Sequence, residues 1–271
     1  MEISIVLLIV GLVVGAIAIP IATRLESRRI EDTTRLLDLA QEKLLAYALK
    51  YGYFPCPALE GTSGQEPGNA NHTSGFCPQY HGYLPAAALG WTPVDAQGFA
   101  VDAWGTTGSR IRYAVSSGPV DTITAPFTRV NGLANAGIAA VGSASLLHIC
   151  GSGTGVNGNV DCGSAPRLAT NAAIVVWSVG PNALTGGTNV HEAQNPNPNN
   201  AGGADRIFVS RPRSGGGSEP DFDDIVRWTP GPIVSGKLQV AGMMTPSSSG
   251  SGGTGGGGGT YGTTDSDDDD D

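Results

Sequence analysis

Four cysteines carry the clearest chemical pattern in this sequence. Cys56 and Cys77 lie 21 residues apart across a polar, Gly-rich segment, and Cys150 and Cys162 lie 12 residues apart around GSGTGVNGNVD. Each pair can close a flexible loop, which removes about 3 kcal/mol of entropy from the unfolded chain. We therefore expect two disulfides between consecutive cysteines, Cys56 with Cys77 and Cys150 with Cys162.

A zinc site is the alternative for the first pair of cysteines. His72 and His81 interleave with Cys56 and Cys77, and thiolate with imidazole is a ligand set that Zn²⁺ favours. The spacing does not resemble compact zinc sites, because the sequence contains neither a CxxC nor an HxxxH pair. The disulfide is the preferred interpretation.

Acidic side chains gather in the C-terminal third of the chain, where hard oxygen ligands on flexible loops would suit calcium. The candidate ligands are Glu192, Asp205, Asp221, Asp223 and Asp224 in the loops, and Asp267, Asp268, Asp269, Asp270 and Asp271 at the end. The alternatives are turn capping with solvated charge for the loops and a solubilising tail for the terminal run. No cofactor is expected to be required, and calcium is the candidate divalent cation.

Catalytic motifs are missing from the sequence. It contains no GxSxG, no HExxH, no CxxC and no Gly-rich phosphate loop ending in lysine, and its serines and histidines show no spacing typical of a nucleophile and its base. We therefore expect a protein that is not an enzyme. The net charge of −9 argues against nucleic acid as a partner.

The elements that must position these groups begin with a long apolar segment. Residues 3–23 are 21 uncharged positions, enough to cross about 30 Å of hydrocarbon as a helix. The acid Glu2 stands before them where a signal peptide would carry basic residues, so we expect the segment to be retained. Helical periodicity then continues to Tyr51, interrupted by no Gly or Pro after Pro20, and Gly52 marks the end.

Strand patterns dominate the remainder of the chain. We expect strands over 110–116, 172–179, 205–211, 223–230 and 232–240, with a less regular candidate over 139–149. Three regions follow: an N-terminal membrane or filament-core helix (1–52), a β-rich head with two disulfide loops (53–245), and a Gly/Ser-rich, poly-Asp tail (246–271).

An acid at the head of EISIVLLIVGLVVGAIAIP, a continuing amphipathic helix and a cysteine-bearing β domain resemble the superfamily of type IV pilins and type II secretion pseudopilins. The segments YGYFPCP, GYLPAAALG, DAWGTTGSRIRYAV, WSVGPNALTGG and DDIVRW look similar to the head of pilin-like proteins. The resemblance implies an α+β, pilin-like fold, with the long helix packed on an antiparallel sheet that has long loops.

The resemblance also implies a structural role. Glu2 would pair with the terminal amine of a neighbouring subunit, because an unpaired carboxylate in hydrocarbon is costly. The alternative is that Glu2 lies in the headgroup layer and starts the helix. In such filaments the helix loses regular hydrogen bonding from about Gly11 to Pro20. Gly11, Gly15 and Pro20 are therefore candidate residues for subunit assembly.

The expected function is a subunit of a type IV pilus-like filament on a bacterial surface, anchored in the inner membrane before assembly. Its expected partners are other copies of itself, that membrane and the pilus assembly machinery. The alternatives are a pseudopilin of a type II secretion system, which forms a short periplasmic piston, and a membrane-anchored enzyme or binding module held by a single span.

Overall fold

The computed structural model describes residues 2–105, 108–116, 127–143, 147–158, 160–183, 187, 189–196, 205–214 and 221–243. In the N-terminal helix, side chains are described for Val6, Val10 and the positions from Thr23 onward. The elements are α1 (Glu2–Tyr51), β1 (His81–Tyr83), β2 (Arg112–Val115), α2 (Gly132–Ser143), β3 (Leu147–Cys150), β4 (Arg167–Ser178), a 3₁₀ helix (Glu192–Gln194), β5 (Ile207–Val209), β6 (Ile225–Pro230) and α3 (Gly231–Val240).

The helix α1 passes through Gly11, Gly15 and Pro20 without a break and ends at Tyr51. Gly52 terminates it, because its left-handed conformation (φ +77°) turns the chain while its amide still donates to the Ala48 carbonyl at 2.8 Å. No helix in the described part of the chain is both long enough and apolar enough to span a membrane. The side chains of residues 2–5, 7–9 and 11–22, where the sequence places the apolar segment, lie outside the described residues.

One face of α1 is buried in the main core of the protein. Leu37, Ala40, Leu44 and Ala48 are at most 1% exposed, and their spacing places them on one side of the helix. They belong to the same apolar cluster as Ile174 and Val176 of β4, so the C-terminal half of α1 is held against the strands by burial of apolar surface.

The long strand β4 is the centre of the sheet. Its C-terminal half pairs antiparallel with β2 on one side and with β6 on the other, while its N-terminal half pairs antiparallel with β3. β1 extends the sheet beyond β2, and β5 extends it beyond β3. The pairing of β3 with β5 is parallel, with His148 opposite Ile207 and Cys150 opposite Val209.

The predicted fold is therefore wrong. A pilin-like domain was expected to place the long helix on an antiparallel sheet, whereas six strands form a mixed sheet that curls into a half-barrel. The parallel pair joins residues about 60 positions apart in the sequence. Alternation of apolar and polar residues indicates a strand but carries no information about the direction of its neighbour, so the sequence could not reveal this topology.

Both faces of β4 are buried over residues 172–178, which explains the uninterrupted apolar run in this half of the strand. Ile174 and Val176 face the cluster that contains α1, and Val175 and Trp177 face a second cluster inside the curled sheet. In this second cluster the ring centroids of Trp177 and Phe208 are 5.0 Å apart in an edge-to-face contact. Curling lets β5 cover the face of β4 that α1 does not reach.

The strand expected over 232–240 is also wrong, because these residues form the helix α3. Gly231, Val234, Ser235 and Leu238 are buried, at the three- and four-residue spacing of one helical face. Pro232 lies in the first turn, where its missing amide proton has no cost. The β-branched Ile233 and Val234 favoured the strand interpretation. The helix forms because it buries one apolar face against the core.

Candidate metal centre

Three carboxylates converge where the 3₁₀ helix meets the start of β6. Oxygen atoms of Glu192, Asp223 and Asp224 all lie within 4.8 Å of one another. The backbone amide of Asp223 donates to Glu192 Oε1 at 2.8 Å, which ties the two segments together. Glu192 is 4% exposed and Asp224 is 5% exposed, so the cluster is largely shielded from water.

Asparagine side chains hold Glu192 in place. Asn189 Oδ1 accepts the backbone amides of His191 at 2.9 Å and Glu192 at 3.1 Å, which shapes the turn into the 3₁₀ helix. The amide groups of Asn189 and Asn182 then donate to Glu192 Oε2, at 2.7 and 3.0 Å. Asn189 also donates to the Asp221 carbonyl at 2.7 Å, so one residue connects both acidic loops.

Asp224 is tied to the edge of the sheet through Asn195. The Asn195 amide donates to Asp224 Oδ2 at 2.5 Å and to the Val209 carbonyl at 3.1 Å, and Asn195 Oδ1 accepts the Val209 amide at 2.7 Å. The side chain of Asn195 therefore bonds to the Val209 backbone of β5 as a neighbouring strand would. This anchors Asp224 to a rigid element instead of a free loop.

The cluster contains more negative charge than its surroundings balance. The pKa of Asp224 is raised to about 8, mainly by burial and also by the nearby Glu192 and Asp223, against the lowering effects of Asn195 and Arg112. Burial also raises the pKa of Asp223, and its proximity to Glu192 adds to this. Such a group of carboxylates either shares protons or binds a cation whose charge offsets the repulsion.

Only part of the predicted calcium set converges here. The carboxylate of Asp205 instead accepts the Ile207 amide at 2.9 Å at the start of β5, and its burial raises its pKa to about 6. Asp221 is exposed and meets Asn189 through its backbone carbonyl. Asp267, Asp268, Asp269, Asp270 and Asp271 lie outside the described residues. The supporting residues Asn182, Asn189 and Asn195 were missed, although their position in the loops around Glu192 was a usable signal.

The structure contains the two disulfides that the spacing favoured, Cys56–Cys77 and Cys150–Cys162. His72 lies close to the first disulfide, where its Nε2 is 2.8 Å from Glu66 Oε2. His81 instead lies in β1 and is 2% exposed. The sequence missed Glu66, even though this residue is inside the loop that Cys56 and Cys77 close.

The predicted assembly residues are placed only through their backbone. Glu2, Gly11, Gly15 and Pro20 all belong to α1, and the side chains of Glu2 and Pro20 lie outside the described residues. Neither a protein-family model, nor a curated protein, nor a solved structure matches the chain. The functional conclusion must therefore rest on the residues of this chain.

Proposed function

We propose that this chain is a structural subunit that polymerises through its N-terminal helix into an extracellular filament resembling a type IV pilus. The observation that supports the proposal is the unequal packing of the two halves of α1. With 50 residues, α1 is about 75 Å long. Among its described side chains, Ile30 is the first to pack against the apolar core, and those that precede it are exposed.

The apolar side chains described in the first half of α1 are exposed to water. Val6 is 58% exposed, Val10 is 52% exposed and Leu25 is 51% exposed, within a segment whose residues 3–23 contain no charge. Apolar surface gains about 25 cal/mol per Å² when it leaves water. Lipid of the inner membrane would provide this cover before assembly, and the helices of neighbouring copies would provide it afterwards, with the assembly machinery acting between the two states.

This proposal depends on the helix and not on the type of head domain, so a mixed half-barrel is compatible with it. Two other functions use the same helix differently. A pseudopilin of a type II secretion system would form short periplasmic assemblies, and a membrane-anchored enzyme or binding module would use the helix only as an anchor. Filament length and the effect of changing Glu2 separate the three.

The test is cryo-electron microscopy of material sheared from cells that produce the wild-type chain, Glu2→Ala or Glu31→Ala. Glu31 is the matched control, because it is an exposed acid on the same helix whose ion pair with Arg35 at 2.6 Å contributes little. We expect long filaments for wild type and Glu31→Ala, and strongly reduced filaments for Glu2→Ala. Monomers or short stubs from the wild type, or normal filaments from Glu2→Ala, would contradict the proposal.

We also propose that the cluster of Glu192, Asp223 and Asp224 binds Ca²⁺. The supporting observation is that three carboxylates approach within 4.8 Å in a largely buried site. Oxygen ligands of this kind are those that Ca²⁺ takes up. The bound ion would tie the 3₁₀ helix to the start of β6 and stabilise the head of the subunit.

Thermal unfolding of the chelator-treated chain, with and without added Ca²⁺, tests the calcium site. A site filled at 100 times its dissociation constant stabilises the folded state by about 2.7 kcal/mol, so we expect Tm to rise on addition of Ca²⁺. Asp224→Asn should lose most of this rise. The exposed Asp221→Asn should keep it. A wild-type Tm that does not change on addition of Ca²⁺, or an equal loss of the Tm rise in both variants, would refute the site.

A further inference from the structure

The loop between Cys56 and Cys77 contains a second group of metal-ligating side chains. Cys56 Sγ, a carboxylate oxygen of Glu66 and a ring nitrogen of His72 lie within 4.8 Å of one another. Cys77 Sγ is bonded to Cys56 Sγ, so a second sulfur lies next to this group. Two sulfurs, one imidazole and one carboxylate are a ligand set that suits four-coordinate Zn²⁺.

Both ring nitrogens of His72 have fixed partners, and this arrangement suits a metal ligand. Its Nδ1 donates to the Thr128 carbonyl at 2.8 Å, and its Nε2 points at Glu66 Oε2 at 2.8 Å. In metal sites, one ring nitrogen commonly donates to a backbone carbonyl and thereby directs the other nitrogen at the ion. Contact with the Tyr53 ring, 4.5 Å between centroids, also restricts rotation of the imidazole.

Glu66 and both cysteines are similarly positioned in advance. The Cys56 amide donates to Glu66 Oε2 at 2.7 Å, which fixes the carboxylate beside the sulfur. Cys56 and Cys77 are fully buried, whereas the side chains of His72 and Glu66 are 19% and 20% exposed. An ion can therefore reach the group from the side of His72 and Glu66, while the sulfurs lie in a shielded interior.

We propose that the reduced form of this chain binds one Zn²⁺ through Cys56, Cys77, His72 and Glu66. A phosphine reductant supplies two electrons and takes up the oxygen of one water as the phosphine oxide, while the two protons of that water convert the disulfide into two thiols. Zn²⁺ then displaces both thiol protons and the proton on His72 Nε2, and a Glu66 oxygen completes the coordination. Zn–S distances are about 2.3 Å and Zn–N distances about 2.0 Å, so the two sulfurs move apart once their bond is broken, while the Glu66 and His72 atoms move closer to them.

The consequence is a loop that two different bonds can close. Under oxidising conditions the disulfide joins Cys56 to Cys77, and under reducing conditions the metal joins the same sulfurs. Metal binding contributes directly to folding where ligands would otherwise be free. The segment after α1 would therefore keep its shape in the reduced chain, without requiring the filament role.

The second disulfide offers a matched comparison. Cys150 and Cys162 also have a histidine and an acid close in sequence, His148 and Asp161. Among the residues that the structure describes, however, no group of three metal-ligating atoms within 4.8 Å includes either cysteine. The proposal therefore predicts metal binding at one reduced cysteine pair and not at the other.

The experiment uses the full chain, reduced with a phosphine and titrated anaerobically with Co²⁺ as a spectroscopic probe and then with competing Zn²⁺. Wild type and Cys150→Ser/Cys162→Ser should bind one metal with thiolate-to-cobalt absorption and tetrahedral d–d bands. Cys56→Ser/Cys77→Ser should bind none. Glu66→Gln and His72→Gln should weaken binding by at least the roughly 10- to 100-fold that loss of an outer ligand partner costs, whereas His148→Gln should not.

Because removal of cysteines can impair folding, Glu66→Gln and His72→Gln are first compared with wild type in the oxidised state by circular dichroism. Alkylation provides a second measurement, since Zn²⁺ should protect two of the four thiols of the reduced wild type. Absence of a one-to-one complex in the reduced wild type would overturn the proposal. Equal binding by the oxidised chain, by Cys56→Ser/Cys77→Ser or by both Glu66→Gln and His72→Gln would also overturn it.

Discussion

At the scale of single residues, Asp102 connects a turn to the central strand. Its carboxylate accepts the Trp104 amide at 2.9 Å and the Ser178 hydroxyl at 2.5 Å, and the residue is 4% exposed. Burial raises the pKa of Asp102 to about 6, although the hydrogen bonds from Ser178 and Trp104 act in the opposite direction. An aspartate with a raised pKa binds its proton more tightly in the folded state than in the unfolded state.

This difference predicts a pH dependence that Asp102→Asn should remove. Below about pH 4 the group is protonated in both states, and above its folded pKa of about 6 it is charged in both. The free energy of unfolding should therefore fall by about 3 kcal/mol as pH rises between these values. We expect denaturant titrations from pH 4 to 7 to show a smaller fall for Asp102→Asn than for the wild type.

Asp95→Asn is the control for this experiment because its pKa is shifted in the other direction. Burial of Asp95 opposes ionisation, but hydrogen bonds from the Phe99 amide and the Arg110 side chain outweigh it and lower the pKa. Its contribution is present above its ordinary pKa and is lost as pH falls through the lowered value. Asp95→Asn should leave the fall between pH 4 and 6 unchanged. An equal change in both variants would exclude Asp102 as its source.

At the scale of elements, the two halves of α1 have different energetic roles. The C-terminal half contributes Leu37 and Leu44 to the core, both fully buried. Two exposed ion pairs, Glu26 with Arg213 at 3.0 Å and Asp38 with Arg227 at 3.3 Å, also join the helix to the head. Exposed pairs of this kind contribute about 0 to 1 kcal/mol, so apolar burial holds the helix in place.

Deletion of residues 2–22 should therefore leave the head folded. The first described side chain of α1 in the apolar core is Ile30, so the deletion removes no described core contact. We expect a cooperative thermal unfolding transition and a monomer in size-exclusion chromatography, with no filaments. Deletion of residues 2–45 is the comparison, because it removes Leu37, Ala40 and Leu44 and should abolish the transition. A head that unfolds when only residues 2–22 are removed would show that the first half of α1 supports the fold.

At the scale of the whole molecule, the curled sheet separates the two largest apolar clusters of the described residues. One core joins α1 to Ile174 and Val176, and the other lies within the sheet around Val175 and Trp177. The candidate calcium cluster lies at the edge of this sheet, where Asn195 links Asp224 to β5. The group at Cys56 and His72 lies beyond the end of α1, in the loop that the first disulfide closes. The two candidate sites thus occupy different loops of one scaffold.

The sequence by itself determined the features that depend on nearby residues. Helical periodicity and Gly52 set the extent of α1, because helix formation and capping involve residues at most a few positions apart. Short spacing likewise favoured the two disulfides that the structure contains. The acidic loops also drew attention to Glu192, Asp223 and Asp224 through residue type alone.

Only the tertiary structure decided which distant residues meet. The parallel pairing of β3 with β5, which overturned the expected pilin-like sheet, joins strands whose own patterns give no direction. The core made residues 231–240 a helix despite their β-branched residues. Asp205 lies outside the carboxylate cluster, and the residue beside His72 is Glu66 and not the expected His81. The paths of the loops, and not spacing in the sequence, set these distances between side chains. Contacts of this kind arise from the packing of the whole chain.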